Sequence, residues 1–227
     1  MGAFHDKSFP GESSAYRRAR DELLAAELDL RRQVEAVAAM RRELPLGGTV
    51  TQDYVFDGVA GQTRLSALFA DGKDSLVVYN FMYAPDDAAP CPMCTAMLDS
   101  LNGNAPHIRQ QVNLAVVAKA PVATLEAFAA SRGWNHLALL SSGGNSYNQD
   151  YFGESAEGSQ LPMLNVFQRH GGAIHHCYCT EAFFAAAEAG QHNRHVDMLW
   201  PLWNVLDLTR SGRGENWFPA LSYETKT

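Results

Sequence analysis

The chain has 227 residues, of which 46% are hydrophobic and 19% are charged, and its net charge is −7. This composition is ordinary for a globular protein, and a negative chain without a basic block argues against a nucleic-acid partner. No apolar run approaches the roughly 20 residues that cross a bilayer. Because the N-terminus also lacks the charged-then-apolar pattern of a secretory signal, we expect a cytoplasmic protein with no membrane partner.

The N-terminal part of the sequence predicts one long helix. Residues 1–13 are polar and irregular, and apolar side chains then recur at helical spacing between 14 and 44. The recurring residues are Leu23, Leu24, Leu28, Val34, Val37 and Met40. Pro45 and the glycines after it end the pattern. We therefore predict an N-terminal segment over 1–48 and a folded domain over 49–227.

A helix of this length has a consequence for assembly. At 1.5 Å per residue it is roughly 45 Å long, which is more than a domain of this size easily covers. An exposed apolar stripe on a helix is a common partner surface, and we therefore expect a homodimer that forms through this helix. The alternative is a helix that packs wholly on its own domain.

The rest of the sequence predicts alternating strands and helices. In chain order they are a strand at 54–56, a helical turn at 65–69, a buried strand at 75–83, a helix at 92–102, a strand at 112–117, a helix at 121–132, a strand at 137–140, a surface excursion at 142–160, a hairpin with strands at 163–168 and 173–179, and a helix at 195–206 interrupted or kinked at Pro201. The strand at 75–83 is apolar almost throughout, which is typical of the centre of a parallel sheet. This order predicts an α/β fold.

The sequence Cys91-Pro92-Met93-Cys94 follows that central strand and opens the next helix. Two thiols three residues apart at the start of a helix share a face, where they can close a disulfide or hold a metal. The helix N-terminus favours the thiolate of Cys91, and proline fits the first helical position because its missing N–H would be unpaired there. Strand, loop, Cys-x-x-Cys and helix in this order predict a redox-active dithiol.

Four further stretches make the sequence similar to one family. They are RRELP at 41–45, AVVAKAP at 115–121, HCYCT at 176–180 and LDLTRSGR at 206–213. Together with the Cys-x-x-Cys they resemble, over nearly the whole chain, the thioredoxin-like family catalogued as domain of unknown function 899 (DUF899). Its members are commonly labelled predicted dithiol-disulfide oxidoreductases. The resemblance implies a thioredoxin-like α/β fold with a long N-terminal helical extension.

Under the redox interpretation Cys91 is the nucleophile and Cys94 is the resolving thiol. The substrate is a disulfide or thiol, carried by a protein or a small molecule, and no cofactor is expected. We do not expect a peroxidase. Peroxiredoxin-type sites resemble Pro-x-x-x-Thr-x-x-Cys, and this sequence has Ala84 and Ala88 in place of that proline and threonine.

A thioredoxin-like fold also implies a substrate groove beside the dithiol. In such folds a cis proline before the hairpin faces the Cys-x-x-Cys, and Pro162 occupies that place in this sequence. We expect the Leu161–Pro162 bond to be cis, and we expect Leu161, Pro162, Pro92 and Met93 to form the groove. The extended backbone of Leu161 would offer main-chain hydrogen bonds to a bound substrate.

The second cysteine pair, Cys177 and Cys179, lies on a predicted strand. Four cysteines in two close pairs favour a cytosolic redox or metal role over structural disulfides. Alternation along the strand places both thiols on the face of His175, and it places His176 and Tyr178 on the other face. The family resemblance implies hydroxyl residues where these two cysteines stand.

Three interpretations of this pair remain open. A turn at 170–171 would place Cys179 opposite Pro162 and therefore near the first pair. The pair could then relay a disulfide as an auxiliary thiol, or complete a metal site, for which tetrahedral zinc takes four ligands. The alternative function for the whole chain is a thioredoxin-fold module that binds metal or acts as a non-catalytic interaction module through this Cys/His cluster. Its metal ligands would be Cys91, Cys94, Cys177, Cys179, His175 and His176. We favour the third interpretation, simple core cysteines, because free cysteine is among the most buried residue types.

Overall fold

The computed structural model describes residues 4–189, 198–214 and 217–223. The chain separates into two units, Met1–Pro45 and Leu46–Thr227. No helix among the described residues is both long and apolar enough to cross a membrane.

The first unit is built on helix α1, Ser14–Glu43, and confirms the predicted N-terminal helix. The side chain of Ser13 caps its N-terminus by accepting a hydrogen bond from the N–H of Tyr16 (3.1 Å). No residue of α1 is buried. Its exposed apolar side chains include a set at seven-residue spacing, here called the α1 row: Tyr16, Leu23, Leu30 and Val37.

The described residues of the second unit form a seven-stranded sheet. Its strands are β1 (Val55–Gly58), β2 (Gly61–Arg64), β3 (Ser75–Asn80), β4 (Asn113–Ala118), β5 (Leu139–Ser141), β6 (Leu164–His170) and β7 (Ala173–Cys179). Their spatial order is β2-β1-β5-β4-β3-β6-β7. Strands β3, β4 and β5 are parallel, whereas β6 runs antiparallel to β3 and β7 runs antiparallel to β6.

The described residues of this unit also form four α-helices, α2 (Pro92–Ile108), α3 (Val122–Arg132), α4 (Tyr147–Asp150) and α5 (Pro201–Asp207). Helix α2 connects β3 to β4, and α3 connects β4 to β5, because parallel neighbours need a crossover. The β6–β7 hairpin and then α5 follow them in the chain. This is the thioredoxin-like α/β fold that the sequence predicts.

Side chains of β3 alternate between two apolar clusters, one on each face of the sheet. Tyr79 lies in the cluster that contains Met97 of α2, and Val78 lies in the cluster that contains Tyr147 of α4. Strand β3 is therefore covered on both faces, as its continuous apolar sequence predicts. This packing holds the carboxyl end of β3 in place, and the chain continues from there to α2.

The segment 142–160 is a surface excursion in part, since 143–144 and 156–159 are exposed. It also contains α4, and Tyr147 is fully buried against the rings of Phe56 and Phe167. Two of its polar residues pair inside the fold, where the hydroxyl of Ser142 donates to the side-chain oxygen of Asn148 (2.7 Å). The Gly/Ser/Asn-rich composition of the segment therefore gave no indication that Tyr147 is buried in the core.

Two helix boundaries also differ from the predicted ones. Helix α2 runs to Ile108 rather than ending at 102, because Ala105 continues its buried face. The helix predicted at 195–206 begins at Pro201 in the structure, since proline fits the first helical turn. Residues 195–197 of that prediction lie outside the described residues.

The β6–β7 hairpin turns one residue later than predicted. His170 pairs with Ala173, so the turn consists of Gly171 and Gly172. Both have positive φ values, 59° and 82°, which glycine adopts without steric cost.

A β-bulge in this hairpin changes which side chains share a face. Phe167 pairs with His176 and Val166 pairs with Tyr178, so Cys177 is an extra residue in β7. His176 packs on the ring of Phe167, whereas Tyr178 packs against the cluster on the opposite face. The expectation that His176 and Tyr178 share a face was wrong, because the bulge interrupts the alternation.

Residues 47–50 run along the outer edge of β7. The N–H of His176 donates to the carbonyl of Gly48 (2.9 Å), and the N–H of Val50 donates to the carbonyl of Ile174 (2.8 Å). Gly47 approaches the strand so closely that a Cβ atom there would overlap the carbonyl oxygen of His176. The segment therefore pairs an edge that would otherwise be open to another chain, and the approach requires glycine.

Candidate active site

The predicted dithiol lies where β3 leads into α2. Cys91 is the N-cap residue of α2, and Pro92 occupies the first helical turn. The N–H of Cys91 donates to the carbonyl of Met82 (3.1 Å), and its carbonyl accepts from the N–H and the hydroxyl of Thr95 (both 3.0 Å). The backbone of Cys91 is thus held on both sides, which fixes the thiol against the central strand.

Cys91 is a half-buried free thiol with the acid–base character of a nucleophile. The Cys94 thiol, followed by the backbone N–H groups of Cys94 and Met93, favours the charged form of the Cys91 thiol. Their effect outweighs that of burial, so the pKa of Cys91 falls to about 6. Cys91 is therefore mostly ionised at neutral pH.

Cys94 has the opposite character. It is buried, and the interaction with Cys91 together with burial raises its pKa well above the ordinary value. The hydroxyl of Tyr79 donates a hydrogen bond to the Cys94 sulfur (3.3 Å). Burial raises the pKa of Tyr79, so the phenol stays neutral and remains a donor.

Tyr79 is the site residue that the sequence reasoning missed. It is one residue from the end of β3, on the face that packs against α2. A signal was available, because Tyr79 carries a hydroxyl group directly after the apolar residues 76–78 of this strand. A buried hydroxyl in such a strand needs a hydrogen-bond partner, and the dithiol follows closely in the chain.

A cavity of about 260 Å³ lies beside the two thiols. Its wall is formed by Tyr79, Met82, Cys91, Met93, Cys94, Met97, Leu161, Pro162, Phe183 and Trp200. Of the predicted groove residues, Leu161, Pro162 and Met93 are in this wall. Pro92 is not, because it is taken up in the first turn of α2.

The expected cis proline is not present. The Leu161–Pro162 peptide is trans, so that prediction was wrong. The N–H of Leu161 donates to the carbonyl of Gly153 (2.9 Å), and the carbonyl of Met163 accepts from the N–H of Asn80 (2.7 Å). The chain thus enters β6 between two backbone hydrogen bonds, with the peptide before Pro162 in the trans form that X-Pro bonds ordinarily prefer.

The N–H of Leu161 is therefore already paired within the protein. This N–H group cannot also donate a hydrogen bond to a substrate that binds as an added strand, as we expected of the Leu161 backbone. What Leu161 and Pro162 contribute to the wall beside Cys91 is apolar surface.

The second cysteine pair does not join the first. Cys179 pairs with Asn165 rather than lying opposite Pro162, because of the later turn and the bulge. Cys179 is buried, with its pKa raised by burial and then by Glu181, and Cys177 is half-buried. Neither lines the cavity beside the dithiol.

The alternative metal site does not assemble either. His176 hydrogen-bonds the side-chain oxygen of Asn165 (2.9 Å), and His175 bonds the carbonyl of Gly47 (3.2 Å). Across residues 4–189, 198–214 and 217–223, no group of three or more His, Cys, Asp or Glu side chains could hold a metal ion. His176 thus connects β7 to β6, and His175 connects β7 to the segment at Gly47.

Several solved structures are similar to this one. A peroxiredoxin-like protein from Aquifex aeolicus shares 15% identity over 60% of this chain and 75% of that one, with a TM-score of 0.45. A peroxidoxin, BcpB, from Mycobacterium tuberculosis shares 19% identity over 72% and 99%, with a TM-score of 0.45. The exposed lipoprotein thioredoxin Etrx1 of Streptococcus pneumoniae shares 15% identity over 65% and 98%, with a TM-score of 0.41.

No protein with a curated description matches the chain. The family model described as a bacterial protein of unknown function, DUF899, matches residues 7–225, which is nearly the whole chain. The four stretches that carry the resemblance all lie within this range. The chain therefore belongs to the DUF899 family.

Proposed function

We propose that this protein is a thiol–disulfide oxidoreductase that works through Cys91 and Cys94. The proposal is carried by the pairing of a half-buried thiol of pKa about 6 with a buried thiol of raised pKa one helical turn later. An attacking thiol must be accessible and ionised, and a resolving thiol must be held beside it.

The reaction begins when the Cys91 thiolate attacks one sulfur of a substrate disulfide. A Cys91–substrate disulfide forms, and the other half of the substrate leaves as a thiolate that takes a proton from water. Cys94 then loses its proton and attacks the Cys91 sulfur, which expels the second substrate thiol. The substrate gains two electrons and two protons, and the protein keeps a Cys91–Cys94 disulfide that a second dithiol reduces.

Tyr79 acts in the second half of this reaction. Its hydroxyl already donates to the Cys94 sulfur, so it stabilises the negative charge that develops when Cys94 is deprotonated. Without that bond, a buried thiol of raised pKa would ionise even less readily. Tyr79 is thus a positioning residue for resolution.

Two serine variants test the proposal. Cys91→Ser should abolish disulfide reduction, whereas Cys94→Ser should accumulate a mixed disulfide on Cys91 that mass spectrometry detects. Cys177→Ser is the matched control, since this half-buried thiol is outside the cavity, and it should keep wild-type activity. The proposal fails if the wild type has no reversible couple between roughly −120 and −270 mV, the span of known oxidoreductases of this kind.

Peroxide reduction is not part of the proposal. Ala84 and Ala88 stand where a peroxiredoxin-type site has proline and threonine. Alanine has no hydroxyl group that could take the place of the threonine.

We further propose that the protein acts in the cytoplasm as a homodimer, on disulfide or thiol substrates and without a resident cofactor. Support for the dimer comes from α1, none of whose 30 residues is buried. Apolar side chains seven residues apart lie along one side of a helix, and they form one of the two apolar positions of the heptad by which two helices pack along their length. The α1 row supplies that pattern over four successive positions.

A further inference from the structure

The wall of the cavity beside the dithiol is almost entirely apolar. Apart from the two thiols, it consists of three methionines, aliphatic side chains and aromatic rings. No Asp, Glu, Lys, Arg or His contributes to it among the described residues. The hydroxyl of Tyr79 is used by Cys94, and the indole N–H of Trp200 is buried without a partner among those residues. A charged group in this cavity would lose its hydration and would meet no counter-charge from the described residues of the wall.

The size of the cavity limits what can enter. Its volume, about 260 Å³, is just below the range of roughly 300–1,000 Å³ that is usual for sites of drug-sized ligands. The flexible side chains of Met82, Met93 and Met97 can adapt to chains of different shape. The cavity therefore suits one short apolar group rather than a peptide with ionised termini.

We propose that the substrates are disulfides of low molecular weight whose sulfur atoms carry short, uncharged alkyl groups. This inference rests on the proposed oxidoreductase function. The alkyl group on the attacked sulfur fills the cavity, while the other half of the substrate leaves as a thiolate from the exposed side of Cys91, where water can solvate it. A tripeptide disulfide with carboxylate and ammonium groups is disfavoured, because the described residues of the wall offer these groups no charged partner.

The chemistry needs no reactant beyond the dithiol and the substrate. Cys91 forms a bond to one substrate sulfur as the substrate S–S bond breaks, and Cys94 then displaces the second alkylthiolate from Cys91. Each substrate thus yields two alkylthiols, and the protein supplies the two electrons by closing its own disulfide. The reaction can therefore be tested in a single turnover of the reduced protein, without any added reductant.

The test measures single-turnover rates of the reduced wild-type protein with symmetric dialkyl disulfides, from dimethyl to dihexyl disulfide. Each rate is divided by that of free mercaptoethanol thiolate with the same disulfide, which removes differences in intrinsic reactivity. The normalised rate should rise about fourfold for each methylene buried and should level off once the cavity is full. Cystamine and dithiodiglycolate, which carry opposite charges, should both react at least tenfold more slowly than dibutyl disulfide.

Variants of the wall separate this preference from general thiol reactivity. Met93→Gln and Leu161→Gln alter half-buried wall residues, and they should flatten the rise with chain length to less than twofold per methylene. Their alkylation by the small neutral reagent iodoacetamide should be unchanged. Met40→Gln, at an exposed methionine of α1, should keep the wild-type series.

Two results would overturn the inference in distinguishable ways. If the normalised rates of all the disulfides lie within about threefold of one another, or depend only on substrate charge, the protein has no preference for alkyl groups. The proposed oxidoreductase function would be unaffected by that result. No reaction of Cys91 with any disulfide, despite rapid alkylation, would remove both.

Discussion

At the scale of single residues, Cys91 and Cys94 have identical side chains, but the pKa of Cys91 is lowered and that of Cys94 is raised. The Cys94 thiol and two backbone N–H groups at the start of α2 favour the charged form of Cys91 and lower its pKa. The interaction with Cys91, together with burial, raises the pKa of Cys94. Two groups whose pKa values are driven apart are suited to two successive roles.

The pH dependence of alkylation tests this assignment for Cys91. Because the thiolate is the reactive form, its rate with iodoacetamide should be half-maximal near pH 6, the value to which its pKa falls. Below that midpoint the rate should fall about tenfold per pH unit, and above it the rate should be constant. Peptide mass spectrometry resolves Cys91 from the other thiols. A midpoint near the free-thiol value of ~8.5 would contradict the lowered pKa.

Replacing Tyr79 by phenylalanine removes the hydrogen bond to Cys94 while keeping the ring. A hydrogen bond to a charged group is worth about 1.5–3 kcal/mol, so the mixed disulfide on Cys91 should resolve at least tenfold more slowly. The alkylation midpoint of Cys91 should stay near pH 6. Tyr83→Phe is the matched control, since Tyr83 is a buried tyrosine of the same cluster, and it should resolve at the wild-type rate. Equal rates for both variants would show that Tyr79 has no role in resolution.

At the scale of elements, the sequence predicts those features that depend on neighbours along the chain. Helix α1 follows from its periodicity, and the placement of the Cys-x-x-Cys at the start of α2 follows from the apolar strand before it. The contacts of Cys179 do not follow, because one extra residue at Cys177 shifts the register without a sequence signal. The cavity wall was predicted in part, since Met93 belongs to the motif and a thioredoxin-like fold brings Leu161 beside it, whereas Phe183 and Trp200 come from distant segments.

The close approach of residues 47–50 to β7 gives a prediction for stability. Gly47→Ala should lower the free energy of unfolding by about 1–3 kcal/mol, because the added methyl group overlaps the carbonyl of His176 and forces the backbone apart. Gly48→Ala is the matched control, since a Cβ at Gly48 meets no atom within 4 Å. Urea unfolding of the two variants measures the difference. Equal midpoints would show that the segment is not held against the strand.

At the scale of the whole molecule, the α1 row predicts self-association. Leu23→Glu combined with Leu30→Glu should weaken a dimer by more than about tenfold, since each buried leucine contributes roughly 1.5–3 kcal/mol. Sedimentation velocity at rising protein concentration measures the change. Arg18→Glu introduces the same carboxylate at an exposed position of α1 outside the row, and it should leave the dimer intact. A wild-type protein that stays monomeric at every concentration would contradict the prediction.

The position of Trp200 has an optical consequence. This indole is 2% exposed and lines the same cavity as Cys91 and Cys94. An excited indole passes an electron to a nearby disulfide far more readily than to a thiol, so closing the disulfide should quench its fluorescence and reduction should restore it. Trp134, whose indole N–H donates to Asp99 (2.8 Å), is not in the cavity wall and supplies a steady background. The redox state of the protein can thus be followed by its own emission, without a label, and Trp200→Phe should abolish the signal.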